Sequence, residues 1–386
     1  MLLENLGVAH PLYEKYYEDA MSSYNAAFFS VEHLSNLADE GELEEENKKQ
    51  IIEFLYAADE NVKKFMWLYY YIQFKTDEDF HINIWQMDNW PLPKNWEEKF
   101  PGMIKACVYL AAADNLREWI NERKISDASF KAFYGRYKYL ADLNTVSYNT
   151  YGLIKLAPFL YMYAKPFGLA IGRLTYQITE FNDFCELYEN DNGERIFVAT
   201  KAKKYDEEGH IANEGFSPVY EQNSSVLKAH TFNDMGLLNK EPIEIDLNVY
   251  KKILSPKDKV ATIHIPAGPK LTTELVYQSL KDAKKILNEN FSGIKAFVCK
   301  TWFIDMGIRD MLNDGSNMKN FAELFDVISA DDNKNHSIFE HIFVVKPQPL
   351  ENLVPKNDFQ KRFLDRALRG EKLYWGYGVL KNSIEL

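Results

Sequence analysis

The chain has 386 residues, 46% of them hydrophobic and 15% aromatic, so it is long enough and apolar enough to bury a large core in two domains. Its net charge of −12 at pH 7 argues against broad nucleic-acid binding, which requires a basic face. The three cysteines are far apart and form no CxxC pair, which excludes a cysteine-based zinc site and fits a reducing compartment.

The first third of the chain has the pattern of helices. Apolar residues recur at helical intervals in residues 12–25, 31–38, 47–74 and 102–123, and a further helix opens near residue 126. Residues 1–60 hold 14 Asp and Glu against 3 Lys, which fits a solvated helical face or a cationic partner such as an amine.

Neither a membrane span nor a signal peptide is indicated. The most apolar run, residues 65–72, is too short to cross a bilayer. The N terminus lacks the basic start of a signal peptide. We therefore expect a cytoplasmic protein without a membrane partner.

Near residue 145 the pattern changes from helix to strand. Residues 157–164 and 169–178 are predicted to be strands joined by a turn, residues 205–217 a surface loop, and residues 246–254 a short helix. The sequence thus predicts an α/β (α+β) protein: a helical domain over residues 1–145, then a domain over residues 146–386 in which helices flank a mixed sheet.

The strongest local pattern is a strand, a tight loop and a long amphipathic helix in residues 260–291. The strand is rich in β-branched residues, the loop contains Pro266 and Pro269, and Thr272 or Thr273 is placed to cap the helix. A strand that leads into a helix N terminus in this way exposes backbone N–H groups at a sheet edge. Such a junction is suited to binding phosphate or pyrophosphate.

A second strand is predicted over residues 294–305 and a helical segment from about Met306. Asp305 and Ser316 are placed as helix caps, and another strand is expected over residues 342–345.

Several short motifs occur in a fixed order. They are Gly172-Arg173-Leu174, Ile263-His264-Ile265-Pro266-Ala267-Gly268, Thr301-Trp302, Ser316-Asn317, Phe343 and Gln360-Lys361-Arg362. This order resembles the C-terminal domain of a bacterial family of GNAT-like acyltransferases, within the acyl-CoA N-acyltransferase superfamily, whose members have a helical N-terminal region. The resemblance covers residues 260–380 well and the region from about residue 126 more loosely.

The resemblance implies an acyl-CoA-dependent N-acyltransferase. Acetyl-CoA or another acyl-CoA would be the co-substrate, the acceptor would be a small-molecule amine or a peptide, and the amine would attack directly in a ternary complex without a metal. The pyrophosphate would be held at the loop-to-helix junction, by Ala267, Gly268, Lys270, Leu271, Thr272 and Thr273. Asn317 would lie beside the acyl chain or the pantetheine arm.

Three residues form the candidate catalytic set. His264 is the candidate base, because an imidazole titrates near neutral pH and can accept the amine proton directly or through water. Thr301 and Asp305 lie on or after the next strand. A structural alternative remains for two of them: His264 as a partly buried histidine bonded to a backbone carbonyl, and Asp305 as a helix cap.

One departure from the family keeps a second function open. The usual Gln/Arg-x-x-Gly-x-Gly/Ala phosphate signature is absent, and neither Pro266 nor Pro269 has an N–H group to offer, although Lys270 would add charge. The chain could therefore be a GNAT-fold binding or regulatory module without catalysis, or its helical domain a protein-interaction unit.

Other chemistry has less support in the sequence. His336 and His341 lack an HExxH frame, and no GxSxG elbow, Walker loop or GxGxxG follows a strand. The basic residues Lys361, Arg362, Arg366 and Arg369 fit either contacts to a CoA phosphate or a solvated helix face.

Overall fold

The computed structural model describes residues 2–78, 80–123, 125, 128–165, 168–266, 269–332, 342–343 and 348–381. Its contacts divide the chain into two compact units, Met1–Ala170 and Ile171–Leu386. The predicted domain boundary at residue 145 lies 25 residues before this division and stays a prediction.

The described part of the first unit is helical. Its α-helices are α1 (Leu2–Leu6), α2 (Pro11–Ser22), α3 (Val31–Glu40), α4 (Glu45–Ala57), α5 (Glu60–Phe74), α6 (Lys94–Lys99), α7 (Met103–Arg123), α8 (Ala128–Tyr148) and α9 (Pro158–Ala164). Helices α5 and α7 pack against each other and are largely buried. The buried hydroxyl of Tyr109 on α7 donates to Gln73 on α5 at 2.7 Å. None of the described helices is long and apolar enough to cross a membrane.

The described strands lie in the second unit, except for the first three residues of β1, which belong to the first unit. The strands are β1 (Gly168–Ile171), β2 (Leu174–Glu180), β3 (Cys185–Glu189), β4 (Arg195–Ala199), β5 (Lys204–Tyr205), β6 (Ile211–Ala212), β7 (Tyr220–Gln222), β8 (Val226–Ala229), β9 (Ile243–Asp246), β10 (Lys251–Leu254), β11 (Lys259–His264), β12 (Ala296–Thr301), β13 (Phe325–Asp332) and β14 (Tyr374–Leu380). The helices of the second unit are α10 (Thr273–Asn290), α11 (Met306–Arg309), α12 (Asn317–Ala322) and α13 (Asp358–Leu368), and a short 3-10 helix spans Trp302–Ile304.

Six strands form the main sheet in the order β1-β2-β11-β12-β14-β13. Strands β11 and β12 are parallel and are connected through α10, whereas β11 pairs antiparallel with β2, and β14 pairs antiparallel with β12 and β13. The sheet is therefore mixed, as predicted.

Register assigns the side chains of the main sheet to two faces. On one face, Val260, Val298 and Val379 pack against the small sheet β10-β3-β4 in a common hydrophobic cluster. We call this the strand-covered face. On the other, Tyr176 on β2 contacts Ser279 on α10, so this is the helix-covered face.

Between β2 and β11 the chain makes an excursion that contains the smaller sheets. It leaves the main sheet at Phe181 and returns at Asp258. The N–H of Phe181 donates to the carbonyl of Asp258 at 2.7 Å, and the N–H of Lys257 donates to the carbonyl of Phe181 at 3.2 Å. The two ends of the excursion are thus bonded to each other.

Several secondary-structure predictions were wrong in whole or in part. The strand predicted over residues 294–305 ends at Thr301, and a short 3-10 helix begins at the next residue. Residues 158–164 form helix α9, because an apolar run buried on nearly every side carries no periodicity to distinguish strand from helix. Residues 246–254 form the end of β9, a turn and β10, and residues 205–217 contain the small β5–β6 hairpin. Ile342 and Phe343 are helical, and 344 and 345 lie outside the described residues.

Candidate active site

The two parallel strands of the main sheet part at their C-terminal ends. Their ladder runs from Val260–Ala296 to Thr262–Val298 and ends there. Beyond this point β11 continues alongside β2 as far as His264, and β12 continues alongside β14 as far as Thr301. The sheet therefore opens between β11 and β12, and we call this gap the strand opening.

His264 lies at the edge of the strand opening. It is half-buried, and its Nε2 is 2.9 Å from Oε1 of Gln177 on β2. Because an amide oxygen only accepts, this contact selects the tautomer with the proton on Nε2 and makes Nδ1 the basic nitrogen of the neutral ring. The printed sequence gave no reason to single out Gln177, since the two residues are 87 positions apart. The described partner of Nε2 is thus a side chain, and the structural alternative for His264 stays open.

His264 has polar neighbours along the β2–β11 pair. The hydroxyls of Thr179 and Thr262 are 2.6 Å apart across the two strands, and Thr175 lies opposite His264. By register, these residues and Gln177 project on the strand-covered face. His264 therefore belongs to a row of polar side chains that follows the β2–β11 pair to the strand opening.

Thr301 and Asp305 lie on the opposite face from His264. Thr301 ends β12 and pairs with Gly376, and alternation from Val298 places it on the helix-covered face. A Cβ added to Gly376 would meet the backbone nitrogen of Asp305 at 2.5 Å, so the chain at Asp305 crosses the same face. The structure thus brings Thr301 and Asp305 together but does not bring them to His264.

Asp305 is a buried carboxyl with an altered affinity for protons. Burial raises its pKa to about 6, and the nearby N–H groups of Ile308 and Gly307 and the charge of Arg366 act against the rise. Asp305 stands at the N-cap of α11, as predicted, although its carboxylate does not reach capping hydrogen-bond geometry. A carboxyl of this pKa is half ionised near pH 6, within the range useful for proton transfer.

The loop-to-helix junction has the predicted cap. Thr272 caps α10 by accepting from the N–H of Leu275 at 3.4 Å. Lys270 and Thr273 are exposed and Leu271 is buried. Ala267 and Gly268 lie outside the described residues.

The first turn of α10 already carries a negative charge. The backbone N–H of Glu274 and the hydroxyl of Thr272 bond to the Glu274 carboxylate and lower the pKa of that carboxyl below its usual value. An anion entering this helix end meets a carboxylate that already binds there.

Arg173, in the turn between β1 and β2, holds the loop in place. Its guanidinium donates to the carbonyl of Pro266 at 2.9 Å and to that of Pro269 at 2.7 Å. Burial lowers the pKa of Arg173 below its usual value. No local pattern in the sequence predicts these bonds, because both partners of Arg173 lie more than 90 positions away.

Several of the remaining predicted residues have structural contacts. Ser316 caps α12 by accepting from the N–H of Lys319, and Asn317 is the first residue of that helix. On α13, Arg362 donates to Met311 and Asn313, Arg366 donates to the carbonyl of Gly307, and Arg369 pairs with Glu371. The part of the chain that the structure describes has no cluster of three or more metal-ligating residues, and His336 and His341 lie outside it.

Comparison with known sequences identifies the second unit. The family described as "GNAT-like C-terminal domain" matches residues 169–380, which is more than half of the chain. The chain belongs to the GNAT-like C-terminal domain family. No curated protein sequence matches it.

Solved structures share the fold of this GNAT-like chain. An acyltransferase in complex with decanoyl-CoA and teicoplanin has a TM-score of 0.65 at 14% identity, with 98% of each chain covered. An acyltransferase mutant in complex with octanoyl-CoA has a TM-score of 0.61 at 14% identity, with 91% of this chain and 88% of that chain covered. The predicted architecture, a helical N-terminal region followed by a GNAT-like mixed sheet with flanking helices, is confirmed.

Proposed function

We propose that the chain is an acyl-CoA-dependent N-acyltransferase. The strand opening is the observation that carries the proposal: two parallel strands part beside His264, and the chain then leads into the N terminus of α10. The pantetheine arm of an acyl-CoA would enter the opening with its pyrophosphate near Lys270, Thr272 and Thr273. The thioester would then lie close to an imidazole.

The reaction needs one base and one leaving group. The acceptor amine nitrogen attacks the thioester carbonyl carbon, the C–N bond forms, and the C–S bond breaks with CoA thiolate as the leaving group. His264 accepts the proton that the amine loses, directly or through water, and this proton passes to the thiolate or to solvent. Asp305 is the alternative base because burial raises its pKa to about 6.

The solved relatives support the choice of co-substrate. Their structures contain octanoyl-CoA, decanoyl-CoA or CoA, and two contain teicoplanin or its 10C form. We infer an acyl-CoA co-substrate and a small-molecule amine or peptide acceptor for this chain. We also propose that residues 1–145 form the domain that sets acceptor specificity, that residues 146–386 form the acyltransferase domain, and that the protein acts in the cytoplasm.

The first test is calorimetric titration and thermal shift of the full chain with acetyl-, octanoyl- and decanoyl-CoA and with desulfo-CoA. Binding to the folded state raises the free energy of unfolding by about 2.7 kcal/mol when the ligand is at 100 times its Kd. Failure of every CoA species to bind would sink the proposed function.

Turnover of His264→Ala and His264→Gln then tests the base. We expect kcat to fall by about 10²- to 10⁴-fold while acyl-CoA binding persists. His33→Gln, which alters a histidine of the helical unit paired with Asp114, is the matched control. Unchanged kcat in both His264 variants would remove His264 from the mechanism, and loss of activity in Asp305→Asn alone would assign the base to Asp305.

A binding module without catalysis is the second candidate. Two features favour it: the prolines of the loop, which offer no N–H groups, and the Glu274 carboxylate in the first turn of α10. This candidate predicts either no CoA binding or CoA binding with no acyl transfer to any amine in a screen that includes small amines and peptides.

A further inference from the structure

Arg173 bonds to two backbone carbonyls of one loop. Its Nε and Nη1 each donate to a backbone carbonyl, Pro269 and Pro266 respectively, so one side chain bonds to the loop on both sides of residues 267–268. Within the described residues no carboxylate pairs with this guanidinium. Burial lowers its pKa below the usual value, and no neighbouring charge in the described part of the chain acts against that change. A half-buried positive charge therefore lies against the loop that leads into α10.

The bond to Pro269 also sets the direction of a peptide group. In a trans peptide the C=O and the following N–H point in opposite directions, and the described chain contains no cis peptide bond. Because Arg173 binds the carbonyl of Pro269, the N–H of Lys270 points away from the Arg173 side of the loop. The contact thus orients the first N–H donor after the two prolines.

The turn that carries Arg173 is itself fixed to α10. Buried Ser279 on this helix donates to the carbonyl of Ile171 and accepts from the N–H of Leu174 at 3.3 Å. Gly172 between them has φ = 60°, and a Cβ there would approach the Cβ of Ser279 to 3.2 Å. The turn that carries Arg173 is therefore bonded to α10, and Arg173 itself binds the loop that leads into the first turn of the same helix.

We propose that Arg173 is a positioning residue of the CoA site: by binding the carbonyls of Pro266 and Pro269 it orients the N–H of Lys270 for the pyrophosphate, in place of the absent Gly-rich signature. This inference rests on the proposed function. Arginine suits the task because its planar fork has five N–H donors, whereas lysine offers the same charge at a single point. The role therefore depends on the geometry of the fork as well as on charge.

The experiment compares Arg173→Gln, Arg173→Lys and the wild-type chain for binding of CoA, dephospho-CoA and pantetheine, which lacks the pyrophosphate. We expect Arg173→Gln to weaken CoA and dephospho-CoA about 10- to 100-fold, since it removes two hydrogen bonds from a charged donor. Arg173→Lys should recover only part of this loss, and pantetheine binding should not change. Under turnover the KM for acyl-CoA should rise while kcat at saturation stays within about twofold.

Lys281→Gln is the matched control, because it removes one exposed positive charge from α10, about two turns beyond the helix end that Arg173 adjoins. Melting temperatures of all variants establish that they fold. If Arg173→Gln binds CoA as the wild-type chain does, or loses pantetheine binding equally, the inference is overturned while the proposed function stands. If the wild-type chain binds no CoA species, both are overturned.

Discussion

At the scale of single residues, the candidate site depends on groups whose protonation the fold controls. Asp305 is buried, and its pKa is raised to about 6. Glu274 is exposed, and its pKa is lowered by the N–H and hydroxyl groups of the first turn of α10. The fold therefore disfavours the ionised form of Asp305 and favours that of Glu274, and each effect can be tested by removing the charge.

Asp305→Asn should stabilise the protein at neutral pH. A raised pKa means that the folded state binds the proton more tightly, so stability is lost as pH rises from about 4 to about 6 and stays lower above that range. The free energy of unfolding of the variant should exceed that of the wild type by up to about 3 kcal/mol at pH 7, because the pKa of Asp305 is raised by about two units. The gain should vanish near pH 4. Thermal unfolding of both proteins across pH 4–8 measures it, and a pH-independent difference would contradict the assignment.

Glu274→Gln should tighten CoA binding by about 2- to 5-fold, because it removes a like charge from the helix end that would receive the pyrophosphate. The effect should shrink in 0.5 M salt. Titration with CoA at low and high salt measures it, and Glu289→Gln near the other end of α10 is the control. Equal or weaker CoA binding by the Glu274 variant would place the pyrophosphate elsewhere.

At the scale of elements, local signals predicted the parts of the site but not their assembly. The strand at β11 and the Thr272 cap of α10 were predicted correctly, because β-branched residues, prolines and a capping threonine lie close together in the sequence. The tie from Arg173 to the loop and the tie from Gln177 to His264 join residues roughly 90 positions apart. No periodicity or motif carries such pairings, so they appear only with the fold.

Helix α8 offers a stability test of the same local rules. Gly135 lies inside this helix, and a Cβ there would meet no atom within 4 Å. Gly135→Ala should therefore stabilise the protein by about 1 kcal/mol, because glycine is the poorer helix former.

Gly41→Ala is the matched comparison for that test. Its Cβ would lie 2.5 Å from the ring of Tyr134, so this substitution should destabilise the protein by about 1–3 kcal/mol. Denaturant unfolding of both variants measures the changes. A destabilising Gly135→Ala would show that the helix needs the glycine for another reason.

At the scale of the whole molecule, the sequence predicted the order of a helical region and a mixed sheet, and this order is confirmed. Contacts, however, group residues up to Ala170 with the helices, whereas the change of sequence pattern suggested residue 145. The difference includes α9, whose apolar residues were interpreted as a strand. The secondary structure of a buried segment depends on the residues packed around it, and the periodicity of its own sequence does not distinguish helix from strand.

The excursion between β2 and β11 also affects how this fold can vary. Backbone hydrogen bonds among Phe181, Lys257 and Asp258 join its two ends, so the excursion is a closed loop, and we call these bonded ends its neck. The entropy of closing a loop grows only slowly with its length. Segments of the excursion that do not pack on the main sheet can therefore lengthen, shorten or be exchanged while the neck keeps β2 and β11 in register. His264 and Gln177 then keep their hydrogen bond, while the surface formed by the excursion can change from one protein to another.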